Sequence, residues 1–163
     1  MKYKLFYLLL FPFFANAQDC KLNRETDPYT KETKISTGFI GLQNASVTVD
    51  ADKTEVDFFF SINGGDKCFD NNSMAAVFFE GTKAKLTYRN SGSMNCEGFF
   101  HFNFKNTAGT PSMLQKLASL KISSIVFTGN NKKETRITFT SQQQDVFIKL
   151  TTCLLNEAKA LLK

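Results

Sequence analysis

Four cysteines, Cys20, Cys68, Cys96 and Cys153, carry most of the chemistry legible in this chain. Cysteines bind metals, act as nucleophiles or pair as disulfides, and their spacing separates these roles. No Cys-x-x-Cys pair occurs, and the one histidine, His101, stands at no ligand spacing from a cysteine, so no metal site is expected. An even number of cysteines reads as disulfides wherever the compartment is oxidising. Four allow three pairings. Residues 74–79 and 83–89 read as a hairpin about Glu80-Gly81-Thr82, which returns Cys68 and Cys96 to one place. Cys20 then pairs with Cys153, tying an N-terminal segment to the last helix.

Other chemistry finds little footing. A Ser-His-Asp hydrolase needs a nucleophile, an imidazole base and an orienting acid. His101 lies in Phe99-Phe100-His101-Phe102-Asn103-Phe104, where strand alternation puts it on one face with Phe99 and Asn103, opposite the more apolar face. There is no Gly-x-Ser-x-Gly elbow, and cysteines held as disulfides cannot attack. Carboxylate pairs for glycoside cleavage could come from Glu55 and Asp57 or from Glu80 and Glu97. Two acids two apart on a strand describe any solvated sheet face equally well. Residues 64–72 are rich in side-chain oxygens but lack the alternating ligand spacing of a calcium loop, and read as a disulfide-held turn. No phosphate-cradling glycine loop or dinucleotide fingerprint appears. The reading is of a non-enzyme with no catalytic residue, no cofactor and no metal. Phe59 stands on the polar face of its strand, which reads either as a surface contact patch or as a position covered by the terminal helix.

The first seventeen residues have the layout of a secretory signal peptide: Lys2 and Lys4, an apolar run over 5–14, then Ala15-Asn16-Ala17 as the cleavage site. The run is about half of the ~20 residues that span a bilayer, so no transmembrane segment is expected once it is removed. Ala17-Gln18-Asp19 lacks the small apolar residues that precede a lipid-modified cysteine. The expected location is secreted or periplasmic, and residues 18–163 make one domain of ordinary size. The leader holds two of the 20 Lys and Arg and none of the 15 Asp and Glu, leaving 18 cations against 15 anions. That excess is small and spread along the chain, so nucleic acid is not an expected partner. With 18 Phe and no Trp, a phenylalanine-filled β core is expected.

The elements must place these groups. Strands are predicted over 34–40, 45–50, 54–62, 74–79, 83–89, 100–104, 122–128 and 134–140, several with clear period-two alternation. Thr110-Pro111 reads as a helix start with a capping hydroxyl and proline in the first turn. Val146, Phe147, Leu150, Cys153, Leu154, Ala158 and Leu161 form the apolar stripe of a long helix over 142–162, with Ser141 and Gln144 as its capping box. The fold class is α+β, a mainly antiparallel, curved sheet of about eight strands packed by that C-terminal helix. The alternative is a β-barrel plugged by the same helix.

Cys20-Lys21-Leu22-Asn23, followed by Asp27-Pro28-Tyr29-Thr30-Lys31-Glu32 and Thr37, resembles the opening of an uncharacterised family of small exported bacterial proteins. In that family an N-terminal Asp-x-[Phe/Tyr]-Thr turn precedes a β-rich middle and a cysteine-bearing C-terminal helix; here Lys31 stands where glycine is usual. The resemblance implies this layout and no activity. The functional expectation is an exported, disulfide-stabilised binding or structural module with a protein or small-ligand partner. Two alternatives are a carrier of a small apolar ligand in a Phe-lined cavity, and an inhibitor that presents the loop 66–72 to a secreted enzyme.

Overall fold

The computed structural model describes residues 20–64, 67–83 and 85–162. The expected leader, residues 1–17, lies outside them. In chain order the described elements are β1 (Asn23–Thr26), β2 (Thr33–Ser36), β3 (Ile40–Leu42), β4 (Ala45–Ala51), β5 (Glu55–Ile62), β6 (Met74–Phe79), β7 (Lys85–Arg89), β8 (Phe99–Lys105), α1 (Ser112–Ser119), β9 (Ile122–Thr128), β10 (Glu134–Thr138) and α2 (Ser141–Ala160). All strand pairings are antiparallel. One sheet runs β1-β2-β4-β5-β8 with β3 beside β4, and a second runs β10-β9-β6-β7. The fold is α+β, as its patterning predicts, but the strands divide into two sheets and close no barrel among the described residues.

Alternation decides which faces meet. β5 buries Val56, Phe58, Phe60 and Ile62, and β8 buries Phe100 and Phe102. β6 buries Ala75, Val77 and Phe79, and β9 buries Ile125 and Phe127. The two inner faces join through phenylalanine rings. Phe127 sits between 5.1 and 6.4 Å from Phe60, Phe69, Phe100 and Phe102, centroid to centroid. Such tilted and edge-on contacts add to the burial of large apolar area. α2 packs on β2, β3, β4 and α1, with Phe147 against Phe58 and Phe139. Among the described residues the rings of the two inner faces pack directly on one another.

Several local readings shift. The predicted strand 34–40 breaks at Thr37–Phe39, where Gly38 adopts φ 67°, a left-handed conformation that costs glycine little. The chain resumes as β3. β1 carries no signal in its sequence because all four residues are exposed. The capping box falls one residue earlier than expected. Thr140 Oγ1 accepts from the Gln143 amide while Gln143 Oε1 accepts from the Thr140 amide. Gln144 instead turns inward and donates to the carbonyl of Ile122. Pro111 occupies the N-cap of α1, and the Thr110 hydroxyl makes no capping bond. On α2, Val146 faces solvent at 40% exposure while Leu155 and Thr151 are buried. The stripe is rotated towards the side that meets α1.

Cys20 is bonded to Cys153, with Cα atoms 5.9 Å apart, and Cys68 to Cys96. Cys153 is buried on α2, so the first bond pins the exposed N-terminal arm to the body. Two disulfides make this a stapled module of the kind that persists in an oxidising, extracytoplasmic compartment. Among the described residues, no helix is long and apolar enough to cross a membrane.

Candidate functional site

The outer face of the larger sheet gathers the polar residues flagged in the sequence. Because Val47, Val49, Phe58, Phe60, Phe100 and Phe102 point inward, their neighbours point out. Across β4, β5 and β8 the outward rows are Ser46–Ser61–Phe99, Thr48–Phe59–His101 and Asp50–Asp57–Asn103, and beyond them Glu55 faces Lys105. Phe59 lies 5.2 Å from Phe99 and 4.9 Å from His101, centroid to centroid, so three rings form one strip. The terminal helix lies on the inner side, against β2, β3 and β4, and does not account for Phe59.

His101 is held at every end. Its Nδ1 is 2.8 Å from Asp57 Oδ2. Its amide donates to Asn90 Oδ1, and its carbonyl accepts from the Ser91 amide and hydroxyl. Asn95 donates to the Phe99 carbonyl and accepts from the Phe99 amide. Residues 90–95 thus cover part of the outer edge of β8, which would otherwise offer unpaired backbone groups to another strand. Gly92 is where that segment crosses the imidazole. A Cβ there would stand 2.7 Å from His101 Cδ2, closer than side chains pack. Among the described residues no hydroxyl or thiol hydrogen-bonds the imidazole, so the pair orients a ring rather than completing a triad.

The electrostatics of the face are acidic. Asp50, Asp52, Glu55 and Asp57 line a cleft of about 70 Å³ beside Lys34, whose Nζ is 3.4 Å from Asp50. Glu55 accepts from Asn103 at 2.7 Å. Burial alone would raise the pKa of Asp52, but hydrogen bonds from the Thr54 hydroxyl and the Thr54 and Glu55 amides outweigh it. Together with the charge of Lys34 they hold this carboxyl below its ordinary value. Asp57 Oδ1 is buried without a hydrogen-bond partner, a costly position for a carboxylate oxygen. Rings flanked by carboxylates suit cationic and apolar groups, which stack on the one and pair with the other.

The remaining candidates disperse. Glu80 follows β6, where its amide donates to the Lys121 carbonyl, while Glu97 bridges to Lys67. These two acids form no pair. No group of three or more His, Cys, Asp or Glu among the described residues is placed to hold a metal. In the expected inhibitory loop, Phe69 is buried against Phe100 and Phe127, and its backbone pairs with Asn95. Only Asn71 and Asn72 of its described residues are exposed. A surface cleft of about 510 Å³ opens where α1 meets α2, with Gln115, Asn156 and Lys159 on its walls. The Asp57–His101 bond was out of reach of sequence reading because it joins residues 44 apart. The available signal was the shared polar face of the two strands.

The fold and its staples define a class, a disulfide-stabilised, two-sheet α+β module with an acidic aromatic face. No protein-family model, curated protein or solved structure matches this chain.

Proposed function

We propose that this protein is an exported, non-catalytic binding module that engages a cationic, partly apolar partner through the outer face of β4, β5 and β8. One observation carries the reading. Phe99, Phe59 and His101 form a continuous ring strip on a face the core does not use, with Asp50, Asp57 and Glu55 beside it. Surface rings contribute nothing to the inter-sheet packing, and His101 is preorganised by Asp57 and the 90–95 segment. Preorganisation lowers the ordering cost of binding. A guanidinium or ammonium stacks on such rings and pairs with such acids.

The single imidazole makes the test direct, since His101 is the chain's only histidine. Its ring resonances are followed by NMR during titration with a short synthetic peptide of alternating arginine and leucine. The same peptide with glutamate for arginine is the control. The arginine peptide is expected to shift the His101 signals saturably, the glutamate peptide to leave them unmoved, and Phe59→Ala to weaken binding about tenfold. Indifference of His101 to both peptides overturns the reading.

A further inference from the structure

The outer face of the smaller sheet is the charge complement of this site. Its rows, read across β10, β9, β6 and β7, are Glu134–Thr128–Met74–Arg89, Arg136–Val126–Ala76–Thr87 and Thr138–Ser124–Phe78–Lys85. Half-buried Met74, Ala76 and Phe78 make an apolar centre around the buried Val126. Arg89, Lys85 and Arg136 stand around it against one acid, Glu134. Arg136 is held on this surface, its Cζ 5.5 Å from the Phe78 ring centroid and its Nη1 donating to Ser124 Oγ at 2.8 Å. A guanidinium fixed in this way loses little freedom on meeting a carboxylate. On the larger sheet the outward charges run the other way: Asp50, Asp57, Glu55 and Glu25 against Lys34 and Lys105.

The two faces also point in opposite directions. Their inner sides meet at Phe127, Phe60, Phe100 and Phe102, so the outer sides look away from each other. We propose that the partner of the acidic aromatic face is a second copy of this chain, docking through the outer face of its smaller sheet. The proposal rests on the reading that the aromatic strip binds, and it names what binds there. Arg89, Arg136 and Lys85 of one copy meet Asp50 and Glu55 of the next, while Met74 and Phe78 cover Phe59 and Phe99. Both surfaces are sheet faces carrying apolar centres and opposite charge, which is why a like molecule fits better than an arbitrary cation. The contact is heterologous, so each added copy leaves one face of each kind free, and growth is open-ended.

Size sets the strength. Four strands about 4.8 Å apart and about five residues long, at ~3.4 Å each, present roughly 300 Å² in projection. Stable pairs bury about 800 Å² per partner, so this contact is weak and forms where the protein is concentrated. Much of it is surface charge, which salt screens within about 10 Å at 0.1 M.

Sedimentation velocity on the mature, oxidised protein tests this. At low ionic strength the weight-average mass is expected to climb with concentration without a plateau. At about 0.5 M salt the association constant is expected to fall at least tenfold. Two neutralising variants sharpen the test: Asp50→Asn with Glu55→Gln on one face, and Arg89→Gln with Arg136→Gln on the other. Each alone is expected to stay monomeric. Mixed, they are expected to form a 1:1 dimer that grows no further, because each supplies the face the other lacks. A wild-type protein that stays monomeric at low salt and millimolar concentration overturns the proposal without recourse to any variant, as does a mixture that stays monomeric. If His101 still responds to the arginine peptide in that case, only the second-copy assignment fails. If it does not, the binding reading fails as well.

Discussion

Removing the Cys20–Cys153 bond, by Cys20→Ser with Cys153→Ala, tests how far the staples carry this fold. The bond spans 133 residues and the Cys68–Cys96 bond 28. In the loop-entropy account the longer closure is worth about 5 kcal/mol and the shorter about 3.5 kcal/mol. For a domain whose whole stability is roughly 5–15 kcal/mol, either is a large share. The native contacts of the arm offset little of the loss. β1 is exposed along its length, and its Arg24–Glu157 ion pair, 3.0 Å long with both side chains about half exposed, contributes at most about 1 kcal/mol. Phe69, by contrast, stays paired with Asn95 through two backbone hydrogen bonds of 2.8 and 2.9 Å when its neighbour Cys68 is changed. The Cys68→Ser, Cys96→Ser variant therefore reports the loop effect nearly alone. Urea and thermal unfolding, both followed by far-UV circular dichroism, suit a chain without tryptophan. The N-terminal pair is expected to lower the melting temperature by roughly 10–20 °C and to cost more than the hairpin pair by about 1.5 kcal/mol. Equal losses, or the reverse order, would refute the loop-entropy account for this protein.

Two further outcomes follow from local geometry. Thr140→Ala removes one half of the reciprocal cap on α2 and is expected to cost about 1 kcal/mol in the same urea experiment, with Thr140→Ser restoring most of it. Asp27, Asp52 and Asp70 each accept backbone amides at a turn, and hydrogen bonding holds each below the ordinary 3.8. Because the folded values are the lower ones, their contribution is complete above pH 3.8 and is lost as pH falls through the folded values. Stability is expected to hold from pH 7 to about 5 and to drop below pH 4, less steeply in Asp52→Asn. A flat profile down to pH 2 would contradict the assigned turn bonds.

What could be read from the sequence was what a single element states by itself. β5 announces its inner face through Val56, Phe58, Phe60 and Ile62, and α2 its buried side through Phe147, Cys153, Leu154 and Ala158. β1 and β3 could not be read: one buries nothing, and the other has three residues after a glycine bend. The candidate site was half legible, since Phe59, Asp57 and His101 each stood out, yet which of them touch depends on register between strands. Burial limits that register to even shifts, because an odd one would turn Phe100 and Phe102 out to solvent. Among the even shifts the choice is made at the start of β8. Gly98 has φ 85°, its carbonyl accepts from the Ile62 amide at 3.0 Å, and a Cβ on it would collide with the Ile62 carbonyl oxygen. Only glycine lets the chain approach that closely, and from that contact the ladder runs Ser61–Phe99, Phe60–Phe100, Phe59–His101. A residue with no side chain, outside the ring strip, thus sets which ring lies beside which, and brings the imidazole within reach of Asp57.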